Sequence, residues 1–116
     1  MIHKDKKIEG YWYNKQHPEY PMPIPNVLSQ EEAQRIFFLI KEKEKEAKEL
    51  SYLGVSFSRI TGEDVGCNEF QTDEWVWTGA FAEHYVLNHK VKPSEEFLKY
   101  IGHKKKPTTR SEYWIC

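Results

Sequence analysis

The most regular pattern along the chain is a stripe of apolar positions at helical spacing: Ala33, Ile36, Phe37, Ile40, Ala47 and Leu50, set in a background of charge. It predicts a helix over about residues 29–50. Ahead of it, Ser29-Gln30-Glu31-Glu32 has capping-box form, in which the Ser29 hydroxyl takes the Glu32 amide and the Glu32 carboxylate reaches back. Leu28 is placed to staple onto Ala33. On the opposite face Lys41 to Glu49 alternates in sign, with Glu44–Lys48 and Lys45–Glu49 spaced as solvated pairs.

After Gly54 the apolar period changes to two. Val55 to Ile60 reads as a short strand closed by the turn signal Thr61-Gly62-Glu63-Asp64, and Gly66 to Asp73 and Trp75-Val76-Trp77 read as two more. Trp75 and Trp77 share a strand face and are expected to pack on the helix carrying Ile36, Phe37 and Ile40. A second amphipathic helix spans about 80–90 and stops before Pro93. A third spans about 94–101, opened by Ser94 and closed by Gly102. The expected fold class is α+β: one small domain with a short antiparallel hairpin or sheet over about 52–77, packed against one long and two shorter helices.

The two ends read differently. In residues 1–28 the run Pro18, Pro21, Pro23 and Pro25 excludes helix, since donors are missing and φ is fixed. Tyr20, Met22 and Ile24 alternate with these prolines and are taken as three apolar side chains on one side of an extended strap. At least one of them is expected to insert into the body. Residues 103–116 form a tail whose Tyr113 and Trp114 are expected to dock onto the domain.

Composition narrows the function classes. A chain of 116 residues fits one core, and 39% hydrophobic with 30% charged residues describes a folded body. Four Trp, seven Tyr and six Phe bury much area with few side chains, so the core needs no staples. The net charge of −1 creates no global field toward nucleic acid or an anionic membrane. No window resembles a membrane span or a signal-peptide core, and Cys67 and Cys116 do not make a disulfide framework. The expectation is a cytoplasmic chain with reduced thiols and no membrane partner. Gly62-x-x-x-Gly66 lacks the lysine and helix of a phosphate loop, so no cofactor is expected.

The stretch Gly54-Val-Ser-Phe-Ser-Arg-Ile-Thr-Gly62, with Gly66, Glu69-Phe70, Trp75-Val-Trp77, His84-Tyr-Val-Leu-Asn-His89 and Val91-Lys-Pro93, resembles a small, functionally uncharacterised bacterial family. Gly10-Tyr-Trp-Tyr13 and the Pro-rich strap extend the likeness over most of the chain. The family pattern carries Cys-x-x-Cys where this chain has Ser58 and Thr61, Trp-Pro-Glu-Gly where it has Trp77-Thr78-Gly79, and then His-Tyr-Val-x-x-His. The resemblance implies a shared fold and no known activity. Two thiolates and two imidazoles at that spacing describe a zinc site. Ser58 and Thr61 replace the thiolates with hard, neutral oxygens, so no metal is expected; His84, His89 and Cys67 are the ligands if one binds. Five residues of α-helix turn through about 500°, which sets His84 and His89 off a common face unless the helix ends between them.

The expected state of the site is therefore a metal-free polar cluster of Ser58, Thr61, His84 and His89, with His84 hydrogen-bonded to Ser58, Thr61 or a backbone carbonyl. Drawn as chemistry, Ser58 and His84 would be a nucleophile and base, but no Gly-x-Ser-x-Gly elbow supports a hydrolase. Glu63, Asp64, Glu69, Asp73 and Glu74 read as solvated carboxylates rather than an acid–base pair. His103-Lys104-Lys105-Lys106 and Arg110 beside Tyr113 and Trp114 would serve a nucleic-acid module with a degenerate metal site, if they cluster with Lys90 and Lys92. The leading expectation is a non-enzymatic protein-binding or accessory module, immunity-like or regulatory, whose Tyr and Trp residues, Trp75 and Trp77 among them, supply contact area.

Overall fold

The computed structural model describes residues 6–102. Its elements in order are β1 (Lys7–Glu9), α1 (Gln30–Glu44), β2 (Lys48–Phe57), β3 (Asp64–Gln71), β4 (Trp75–Thr78), a π-helix (Phe81–Asn88) and α2 (Glu95–Tyr100). The strands form one sheet in the order β1-β4-β3-β2, antiparallel except where β1 joins β4 in parallel. The fold is α+β, as the pattern predicts. β1 was not foreseen: Lys7, Ile8 and Glu9 pair with Trp75, Val76 and Trp77, so the N-terminal strap begins as an edge strand.

Helix α1 starts where the capping box places it. Ser29 Oγ accepts from Glu32 N at 3.1 Å and Glu32 Oε1 accepts from Ser29 N at 3.3 Å. It ends at Glu44, six residues before the predicted limit at 50, and Leu50 lies on β2. The final turn tightens into i→i+3 bonds, Lys45 N to Glu42 O, Glu46 N to Lys43 O and Ala47 N to Glu44 O, which release the chain into the strand. Between Ile40 and Ala47 the buried face carries a polar residue for a reason: Glu44 is buried and accepts from the Trp77 indole Nε1 at 3.1 Å. Its other oxygen, without a well-angled hydrogen bond, pairs with the Lys41 ammonium at 2.8 Å.

The core lies between the sheet face bearing Trp75 and Trp77 and a helical layer of α1, the π-helix and α2. Ile36 and Ile40 of α1, Phe81 and Val86 of the π-helix, and Phe97 of α2 meet the two indoles there. Phe97 is edge-on to Trp75, Trp77 and Phe81, with centroids 5.0, 5.5 and 5.7 Å away. β2 runs from 48 rather than 55, and its pairing with β3 shifts register between Ser51 and Ser56. On the opposite sheet face the strap covers β3, where Tyr11 OH donates to the Glu69 carboxylate. Gly10 makes the approach possible: its φ is +78° and a Cβ there would stand 2.9 Å from Phe81 Cδ1 and Thr78 Oγ1.

α2 opens at Ser94, whose Oγ accepts from Phe97 N at 3.2 Å, and the backbone turns out of it at Gly102 with φ +88°. Glu9 at the end of β1 accepts from Ser94 N and Oγ at 2.7 and 2.8 Å, tying strand to helix. Among the described residues no helix is long and apolar enough to cross a membrane.

Candidate functional site

His84 and His89 meet because the helix that carries them is not an α-helix. Tyr85 N bonds to Ala80 O at 3.3 Å and His89 N to His84 O at 3.2 Å, five residues back in each case. Such i→i+5 bonding stacks positions five apart. The two imidazole centroids are 4.7 Å apart, on the common face that α-helical geometry denies them.

Facing them is the turn between β2 and β3. Ser58 N donates to Glu63 O at 2.8 Å and Gly62 N to Ser58 O at 2.9 Å. Ser58 Oγ accepts from Ile60 N and Thr61 N, both at 3.0 Å, and lies 2.8 Å from His84 Nε2. With both lone pairs taken by backbone donors, the hydroxyl proton goes to His84. Nε2 is therefore an acceptor, and neutral His84 carries its proton on Nδ1. Burial first, and then the neighbouring His89, push the His84 pKa below the ordinary histidine value, while Glu63 opposes. Arg59 N donates to Tyr85 OH at 3.1 Å, a second link between the turn and the π-helix.

Of the four positions singled out in the sequence, Ser58, His84 and His89 join through their side chains. Thr61 joins through its backbone amide only. Its exposed hydroxyl turns away to donate to Glu63 Oε1 at 2.8 Å, because an exposed carboxylate two residues on is the nearer acceptor. Cys67 sits on β3 and lines a cleft of about 260 Å³ with Tyr11, Trp12, Phe57 and Glu69, in which neither histidine takes part. Among the described residues no three His, Cys, Asp or Glu side chains gather closely enough to hold a metal ion. Trp75 and Trp77 are buried in the core, so they supply packing and offer no contact surface.

The serine and histidine have the relative geometry of a base-activated nucleophile. Ser58 is, however, only 4% exposed and lines none of the described clefts. Held by two amides and one imidazole, its hydroxyl acts as a clamp between turn and helix. Glu69, read from the sequence as a solvated carboxylate, is 1% exposed. It pairs across the sheet with Thr78, accepts from Tyr11 OH and takes Gln71 Nε2 at 2.6 Å. No local signal announced its burial: the covering segment Gly10-Tyr11-Trp12-Tyr13 is remote in sequence, and its place over β3 depends on β1. Glu63, Asp64, Asp73 and Glu74 are exposed as expected.

The strap shows a second surface. Its far end is fixed by Asn26 N to His89 O at 2.7 Å and by Val27 N and Leu28 N to Lys90 O at 2.9 and 3.0 Å, so it satisfies carbonyls at the end of the π-helix. Met22, Ile24 and Val27 are 54, 67 and 51% exposed, and Pro23 is the buried residue of the run. This corrects the expected side of the strap: Met22 and Ile24 point outward, and only Tyr20 is half-buried. A polyproline helix repeats every three residues, not two, so Tyr20 and Pro23 share the inner face. Lys104, Lys105, Lys106 and Arg110, on which a nucleic-acid reading depends, lie outside the described residues, as do Tyr113 and Trp114 of the tail. Set against protein-family models, curated proteins and solved structures, the chain matches none.

Proposed function

We propose that this chain is a non-catalytic protein-binding module, of the accessory or regulatory kind, that meets its partner through the strap. The observation that carries the reading is the exposure of Met22, Ile24 and Val27 along a backbone pinned at both ends. Apolar side chains left in water on an ordered segment gain nothing for the fold, and contiguous exposure of this kind marks interaction surfaces. Beside them runs an apolar groove of about 510 Å³ between the strap, Ile8 of β1, and Val91 ahead of α2. Closure of the Ser58–His84 pair supports a binding role over hydrolysis, since a substrate carbonyl has no route to the hydroxyl.

The test is affinity enrichment from the native host with tagged protein, run in parallel with a variant altered at Met22→Asp and Ile24→Asp. Proteins retained reproducibly by the first and lost by the second support the reading. Failure of the unaltered protein to retain anything removes it.

A further inference from the structure

We propose that Pro21–Pro25 is a pre-formed polyproline II ligand, recognised by a partner domain whose groove is lined with Trp and Tyr. The proposal rests on the protein-binding reading and names the partner's chemistry. From Tyr20 to Pro25 every residue is a proline or precedes one. Proline fixes φ near −65°, and the ring drives the preceding residue out of the helical region. No peptide bond in the described chain is cis. The segment is therefore strongly biased to extended backbone, and burial at Tyr20 and Pro23 records a period of three. Tyr20 is half-buried, Pro21 and Met22 exposed, Pro23 buried, Ile24 and Pro25 exposed. One face of the three-sided helix rests on the body, and two outward faces present Pro21 with Ile24 and Met22 with Pro25.

That is the arrangement an aromatic groove reads: two adjacent ridges, each a proline with an apolar residue, whose ordering entropy is already lost before binding. Contacts within the strap and to the body supply the order. Tyr13 N donates to Pro21 O at 2.9 Å, the Tyr20 ring stacks on His17 with centroids 4.6 Å apart, and Asn26 and Val27 bond to the end of the π-helix. Among the described residues no donor reaches the carbonyls of Met22 to Pro25. They are acceptors for the indole N–H or phenol O–H of a groove.

The experiment measures binding of the full chain to an array of purified SH3, WW and EVH1 domains, with three variants alongside. Met22→Asp with Ile24→Asp removes the apolar ridges. Pro21→Ala with Pro25→Ala keeps the chain apolar but loosens it. Phe38→Asp alters an exposed apolar residue of α1 remote in sequence. Melting curves confirm that each variant folds. The proposal expects at least one domain to bind, a loss of about tenfold or more for the first variant, a several-fold loss for the second, and no change for the third. If no domain binds while host proteins are still captured equally by all variants, the ligand proposal fails and protein binding survives. If neither domains nor host proteins bind, both fail. Self-association of the chain that the ridge substitutions abolish would make a second copy the occupant and overturn the proposal.

Discussion

Trp75 and Trp77 on β4 and Met22 and Ile24 on the strap are apolar residues of the same chain in opposite circumstances. The indoles are enclosed by α1, the π-helix and α2, and Trp77 has its one polar atom satisfied by Glu44. Met22 and Ile24 face water from a backbone tied to the chain at its two ends. Burial makes the first pair the source of stability, and exposure leaves the second pair free for a partner. The contrast is measurable, because truncation acts on the folded state only where neighbours are lost.

Its strongest test is Trp77→Ala. Removing a fully buried indole forfeits its transfer energy and leaves a cavity among Phe97, Phe70 and the α1 stripe. A loss of about 3–5 kcal/mol is expected, read as a fall in the urea midpoint. That is a large part of the ~5–15 kcal/mol that holds a typical domain. A loss below about 1 kcal/mol would mean that the indole is not enclosed.

Glu44 sharpens the same point from the polar side. Glu44→Leu leaves the Trp77 N–H buried without an acceptor and is expected to cost about 1–3 kcal/mol, despite adding an apolar side chain to a buried place. Glu44→Gln keeps an acceptor oxygen and should recover most of the loss in equilibrium unfolding. Equal costs for the two variants would locate the effect in the Lys41 ion pair instead.

The clamp between Ser58 and His84 lies between these extremes and responds to pH. Its His84 pKa is held below the ordinary value of about 6.5, so the unfolded chain takes up the proton first as the solution is acidified. The contribution is therefore complete above about pH 6.5 and fades as pH falls toward the folded value. Protonation also places a donor on Nε2, against a hydroxyl already accepting from Ile60 N and Thr61 N. The melting temperature of the native chain should drop more between pH 7.5 and 5.5 than that of His84→Gln. Parallel profiles would show that the imidazole does not hold the turn.

How much of this was legible from residues alone follows from what each pattern encodes. Ser29 with Glu32 and Ser94 with Phe97 are local devices, complete within four residues, and they were found where expected. Trp75 and Trp77 were legible as core because alternation places both on one face. The end of α1 was not, since Ala47 and Leu50 continue the helical spacing by coincidence after Glu44 has turned to Trp77. A π-helix of eight residues has too few turns for its period to be separated from 3.6, so the expected cluster was legible but the helical geometry that lets His84 and His89 meet was hidden. The burial of Glu69 depends on Tyr11, 58 residues away, through a strand of three residues that no periodicity announces.

The smallest effect is expected at the strap, and it decides whether the period there is three or two. Met22→Asp and Ile24→Asp replace side chains that are mostly in water, so each should change stability by less than about 0.5 kcal/mol. Pro23 lies between them on the inner face, and Pro23→Asp sets a carboxylate against the body where Tyr20 also packs. A carboxylate in the proline's buried place must lose its water, so the strap should lift from the domain while the core persists. The readout is limited proteolysis after Lys15: cleavage should accelerate strongly for Pro23→Asp and stay at the native rate for both neighbours. A two-residue period, with Tyr20, Met22 and Ile24 on the inner face, requires the reverse: Met22→Asp and Ile24→Asp would loosen the strap and Pro23→Asp would leave it seated. Only the three-residue order keeps the outward ridges together as one surface, with the body holding the chain from behind.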